Sequence, residues 1–316
     1  MNPKRNRNNK STTIRRIMMA AVIMLCATLA RATVVLPALI ADNMVLQQQQ
    51  EVNLWGTAAP GEQVVVKASW LTKPQVTQAG AGGHWSVKIR TTKAGGPYRI
   101  QFSGSNSITV NNVLLGEVWL ASGQSNMEFP MGKGEGWRTG VVDYATELAQ
   151  ANYPAIRMID VPNVVADSPL SDFKGTWAVC TPDNAAQFSA VAYYFARKVQ
   201  QETGAPIGMI NATWGGTPAE SWTRKEVLES SFPTIMERYN KTLETYPERY
   251  AQYQQKMQAW KADTSAGRKG APKEPVGPNH NKSPYKLYNA MIHPLLYYAC
   301  KGVIWYQGES NAEYAW

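Results

Sequence analysis

"GEVWLASGQSNMEFP", residues 116–130, decides how the chain is read. The run Val118-Trp119-Leu120-Ala121 is continuous and apolar, the pattern of a strand covered on both faces of a parallel sheet. It breaks at Ser122-Gly123 and then presents Gln124, Ser125 and Asn126 before Met127-Glu128-Phe129. A glycine there lets the chain turn sharply at the carboxyl edge of a sheet without a Cβ clash. Ligands of open α/β sheets bind outside that edge. The pattern predicts a strand ending at Gly123 and a helix starting near Ser125, where unpaired N–H groups favour negative charge. Taken alone, it also describes an ordinary turn or helix cap.

Two further segments share its form. "PIGMINAT" (206–213) is an apolar strand followed by Gly215-Gly216. "KGVIWYQG" (301–308) reads as a buried strand ending on Gln307-Gly308-Glu309. If the three strands lie side by side, their tips converge. Ser125 then offers a hydroxyl, Gly215 and Gly216 offer backbone N–H groups, and Gln307 offers a side-chain amide. These are the parts of acyl transfer, a nucleophile with oxyanion donors. Gln124, Asn126, Glu309 and Asn311 flank them as supporting residues. Three ordinary βα loops are the plainer reading of each tip taken singly.

Outward from these tips the chain divides. Residues 33–111 predict a small all-β sandwich: Trp85, Val87 and Ile89 alternate with polar residues, as do Tyr98, Ile100 and Phe102, between Gly- and Pro-rich turns. Trp55, Trp70 and Trp85 are core candidates that could also form a platform for a sugar. Residues 112–316 alternate strand-like and helical patterns, an α/β domain on a parallel sheet with flanking helices. "SAVAYYFARKVQQETG" (189–204) predicts an amphipathic helix closing on Gly204. A helical and loop excursion spans about 225–284. Within it Pro247 opens a helix whose Tyr250, Tyr253, Met257 and Trp260 form one face, expected to pack onto the body. The Gly-, Pro- and Lys-rich stretch 264–284 predicts an exposed loop.

The formal charge of +9 is local. Residues 1–32 hold seven of the 32 basic residues and no acid, which leaves 25 basic against 23 acidic residues, a net of +2. The remainder carries no charge footprint for nucleic acid or an anionic membrane. Those first residues read as a secretory signal: a basic start, the apolar "IMMAAVIMLCATL" (17–29), then Ala30-Arg31-Ala32. Cleavage after Ala32 and a periplasmic or extracellular location are expected, with no membrane span afterwards. Cys180 and Cys300 show no paired or metal-binding spacing and read as small core residues.

Together, "GEVWLASGQSNMEFP", "INATWGGTPAESW" (210–222) and "GVIWYQGESNA" (302–312) resemble the sialate O-acetylesterase family of the SGNH/GDSL hydrolase superfamily. "LPALIADNMVLQQ" (36–48), "VNLWGTAAPGE" (52–62) and "KLYNAMIHPL" (286–295) resemble it too, so the similarity covers about residues 34–316. The resemblance implies an SGNH-like α/β fold, Ser125 as nucleophile, Gly215-Gly216 as oxyanion-hole glycines and Gln307 as an amide donor to the oxyanion. It implies no metal or organic cofactor. Its substrates would be acetyl esters on sugars, O-acetylated sialic acid first and acetyl xylan second. A non-catalytic carbohydrate-binding protein using the sandwich aromatics is the alternative of another class.

The family's base and its orienting carboxylate come from an Asp-x-x-His near the C-terminus. The three histidines here are His84, His280 and His293, preceded at the third position by Ala81, Gly277 and Ala290. None fits. His293, beside Pro294, reads as structural. The expectation is therefore that the chain represents the N-terminal part of such an enzyme, with its triad histidine and aspartate beyond Trp316.

Overall fold

The computed structural model describes residues 33–136, 138–265 and 270–314. The leader at 1–32 lies outside the described residues. Eleven strands are described: β1 (Val45–Gln47), β2 (Glu51–Thr57), β3 (Gln63–Ala68), β4 (Gln75–Gln78), β5 (His84–Arg90), β6 (Gly95–Ser103), β7 (Ser107–Gly123), β8 (Tyr153–Asp160), β9 (Ala178–Cys180), β10 (Ile207–Thr213) and β11 (Gly302–Tyr306). Seven α-helices accompany them: α1 (Ser125–Glu128), α2 (Tyr144–Ala149), α3 (Pro182–Ala185), α4 (Ala190–Thr203), α5 (Lys225–Ser231), α6 (Pro233–Glu244) and α7 (Tyr246–Ala262).

The 17-residue β7 organises the rest. Its first half pairs antiparallel with β6 and parallel with β1. Its second half pairs parallel with β10 on one edge and β11 on the other. One sheet of order β4-β3-β6-β7-β10-β8-β9 results, with β1 and β11 also on β7. β2 and β5 form a separate antiparallel pair. Their Val52, Leu54, Trp85 and Ile89 share a core with Val64 and Val66 of β3 and with Ile100 and Phe102 of β6, which makes the N-terminal sandwich. The division read at 111/112 falls inside β7, at Asn112, whose φ of 54° bends the strand. We propose that bend as the boundary between two folding units that share one strand.

The α/β part has the expected parallel sheet with flanking helices, formed by β7, β8, β10 and β11, and adds β9 antiparallel to β8 at its edge. β10 is buried along its whole length because β7 and β8 flank it and both faces are covered. α4 packs Ala192, Tyr193 and Ala196 against Ile207 and Met209 of β10. Ser189 caps α4, its Oγ accepting from Ala192 N at 3.1 Å and donating to Met127 O of α1 at 2.6 Å, and Gly204 closes the helix in the left-handed region.

Several local features differ from the sequence pattern. β11 is an edge strand, not a buried one: β7 is its one described neighbour, and Val303, Trp305 and Tyr306 are about half exposed. Cys300 is exposed, while Cys180 is buried and its thiol is pushed up to about 11 by desolvation. The stripe on α7 is half-buried, with no fully buried residue, and Tyr246 lies against Gly277 of the following loop. That loop is therefore not wholly exposed, since Gly277, Ser283 and Pro284 are buried. No helix among the described residues is long and apolar enough to cross a membrane.

Gly123 answers why β7 ends on glycine. Its φ is +139°, and a Cβ built there would lie 2.1 Å from the Tyr306 carbonyl oxygen. The backbone of β11 occupies the space a side chain would need. Gly123→Ala should therefore cost at least about 2 kcal/mol of unfolding free energy, read as a lower urea midpoint.

Candidate active site at three strand tips

Register brings the tips level. Gly123 at the end of β7 stands opposite Thr213 of β10 on one side and Tyr306 of β11 on the other. Trp214 N donates to Gly123 O at 3.1 Å, and Gln124 N donates to Tyr306 O at 3.0 Å. The helix after Gly123 is a single turn, with Gln124 as its N-cap in extended geometry and Ser125 as its first residue. Ser125 is half-buried. A Cβ placed on Gly215 would lie 3.4 Å from the Ser125 Cβ, so the second tip is in van der Waals reach of the serine. Among the described residues neither the N–H nor the Oγ of Ser125 has a hydrogen-bond partner.

Gln124, 2% exposed, joins the first tip to the third. Its Oε1 accepts from Gln307 Nε2 at 3.2 Å, Gly308 N at 3.4 Å and Ser310 N at 3.3 Å. Gln307 Nε2 also reaches Thr217 O at 3.3 Å and Asn311 Oδ1 at 2.6 Å. Asn311 carries the chain onward: its Oδ1 accepts from Ala219 N at 2.8 Å and its Nδ2 donates to Glu220 Oε2 at 2.8 Å. The buried Glu220 pairs with Arg238 of α6 at 3.1 Å, which ties the helical excursion to the tips. Asn126 Nδ2 donates to Glu309 Oε1.

Two of the expected donors, Gln307 Nε2 and Gly215 N, are engaged in this state. Two hydrogens on Gln307 Nε2 face three acceptors. Gly215 N donates to Glu128 Oε2 at 2.7 Å, and the other Glu128 oxygen pairs with Arg138 at 2.8 Å. Glu128, Thr217, Glu220 and Arg238 join the site with almost no sequence signal. Glu128 alone has one, because Ser125 and Glu128 form an S-x-x-E helix start. Its carboxylate nonetheless serves the neighbouring tip.

The histidines lie elsewhere. His293 Nδ1 is 2.8 Å from Leu170 O, and with His84 it lines a cavity of about 360 Å³ shared with Trp55, Trp85 and Tyr297. His280 Nδ1 accepts from Lys282 N at 3.0 Å; burial holds its pKa below the usual value, with Glu274 opposing and Lys282 adding to the shift. The three tryptophans do not form one platform. Trp55 and Trp85 share the His84 cavity, while Trp70 packs edge-on against Tyr98 at 5.1 Å.

The chain is similar to known proteins. The model of the carbohydrate esterase, sialic acid-specific acetylesterase family matches residues 115–260, which contain the first two tips. The chain is 31% identical to the rat sialate O-acetylesterase over 295 residues, covering 86% of this chain and 52% of that protein. The human sialate O-acetylesterase is 29% identical over 296 residues, 86% of this chain and 48% of its own. The chain belongs to the sialate O-acetylesterase family. A carbohydrate acetylesterase from Xanthomonas citri has the same fold, with a TM-score of 0.68 and 33% identity over 89% of this chain and 52% of that one. The chain spans about half the length of the curated relatives it matches.

The family assignment makes the Gln124 junction the part of the site to probe first. Gln124→Ala leaves the Gln307 amide and two backbone N–H groups short of a buried acceptor. A loss of about 1–3 kcal/mol is expected. Thermal unfolding of the variant measures it, and an unchanged midpoint would show that the tips hold together without Gln124.

Proposed function

We propose that this protein is an exported serine esterase that removes acetyl groups from sugars, O-acetylated sialic acid foremost. One observation carries the reading: Ser125 and Gly215 lie side by side, a Cβ built on Gly215 falling 3.4 Å from the Ser125 Cβ, at a level edge of three parallel strands. Similarity to sialate O-acetylesterases and to a carbohydrate acetylesterase supports the substrate class. The basic and apolar leader with its Ala-Arg-Ala end supports export.

In this proposal Ser125 Oγ attacks the acetyl carbonyl carbon and its proton passes to a general base. The carbonyl oxygen becomes an oxyanion. Its donors are the N–H groups of Gly215 and Gly216 and the amide of Gln307; Gly215 and Gln307 exchange their present acceptors for it. The C–O bond to the sugar then breaks and the sugar hydroxyl leaves with the proton. Water cleaves the acetyl-serine and releases acetate. Gln124, Asn126, Glu309 and Asn311 hold the donors in place.

Two measurements test this on the full-length gene product. A serine-directed phosphonate should label Ser125, and Ser125→Ala should lower hydrolysis of an aryl acetate by about four powers of ten or more. His293→Ala, at the Leu170 contact, should change the rate by less than about threefold. A fully active Ser125→Ala protein ends the proposal. N-terminal sequencing of exported protein should begin at Thr33.

A further inference from the structure

A cavity of about 480 Å³ opens beside the third tip, a volume within the roughly 300–1,000 Å³ of small-molecule sites. One wall is the tip itself, through Glu309 and Ser310. The other comes from the helical excursion and its loop, through Arg238, Arg249 and Lys282, with Glu220 at the junction. The cavity and the serine share a turn: Glu309 accepts from Asn126, and Ser310 N donates to Gln124, the two neighbours of Ser125 in sequence.

Charge in this cavity is unevenly committed. Glu220 holds Arg238 at 3.1 Å and also accepts from Asn311, while Glu309 accepts from the neutral amide of Asn126 and keeps its charge, so three cations face two carboxylates in the lining. Arg249 and Lys282 have no carboxylate within ion-pair distance among the described residues. Arg249 is nonetheless fixed. Its Nε donates to Thr245 Oγ1 at 3.2 Å, and its Nη2 donates to Thr242 O at 2.7 Å and Val276 O at 3.3 Å. Both Nη1 hydrogens lack an acceptor among the described residues. Neutral oxygens orient this guanidinium without cancelling its charge. A pre-aimed, unneutralised arginine in a half-enclosed wall suits a planar carboxylate.

We propose that this cavity is an anion subsite, in which Arg249 with Lys282 receives the carboxylate of an acidic sugar whose acetyl ester lies at Ser125. It rests on the acetylesterase reading above and adds the determinant that selects acidic over neutral sugars.

The test uses the full-length protein carrying Ser125→Ala and two probes that differ only in charge, N-acetylneuraminate and its methyl ester, with binding followed by titration calorimetry. The acid should bind about tenfold more tightly than the ester, the scale of one charge-assisted contact. Arg249→Gln and Lys282→Gln should each remove most of that preference, and Lys88→Gln, on the exposed face of β5, should keep it. Lys282 makes no structural side-chain bond among the described residues, so its variant remains informative if Arg249→Gln fails to fold. Equal binding of the two probes, binding of neither, or a preference retained in Lys282→Gln overturns the subsite. Hydrolysis separates the two readings. An unmutated protein that cleaves acetyl esters without charge preference removes the subsite alone. One that cleaves none, while Ser125→Ala still prefers the acid, removes the esterase reading and leaves the subsite standing.

Discussion

The Tyr306 carbonyl sits where Gly123 would carry a Cβ, and the arrangement of the site follows from that contact. It allows β11 to pair with β7 up to their last residues, so that Gln124 N can donate to Tyr306 O. With that bond made, the chain turns into α1 and Ser125 emerges beside Gly215. Any residue with a side chain at 123 would force the two strands apart at the place where their tips must meet.

Beyond Gly123 the tips are joined by amides. Gln124, Gln307 and Asn311 link them, and Glu220, the one buried carboxylate among the described residues, is paired with Arg238. Amides cost less to bury than charges and each fixes a direction for both donor and acceptor. The arrangement also gives two of the candidate donors an acceptor. Gly215 N rests on Glu128 and Gln307 Nε2 on its three acceptors, so in the proposed reaction an oxyanion would take over bonds that are already made.

Much of this was legible in the sequence, for physical reasons. Continuous apolar runs at 118–121 and 207–210 mark strands covered on both faces, and the polar, Gly-rich residues after them mark a sheet edge. The same logic misleads at 301–306, because an apolar run does not reveal how many neighbours a strand has, and β11 has one described. Cys300 was misread for the same reason. That β7 belongs to both sheets depends on registers between distant segments, which no local pattern carries. Glu220, Arg238 and Arg249 enter through tertiary contacts alone. Acidic and basic residues on amphipathic helices look like solvated faces until a partner from another element meets them. Trp55, Trp70 and Trp85 are alike in sequence, and the sandwich sends them to different neighbours.

Sharing β7 also has a kinetic consequence. Its partners come from both ends of the described chain, β1 ahead of it and β10 and β11 far behind. The sandwich pairings join segments close in sequence and close short loops. Parallel pairing of β11 closes a loop that contains nearly all of the α/β part, and closing it costs more entropy before any contact is gained. Rates fall as such non-local contacts dominate a topology. The Ser125 segment can therefore be in place, at the end of a strand already held by the sandwich, while its amide neighbours on the third tip are still to arrive.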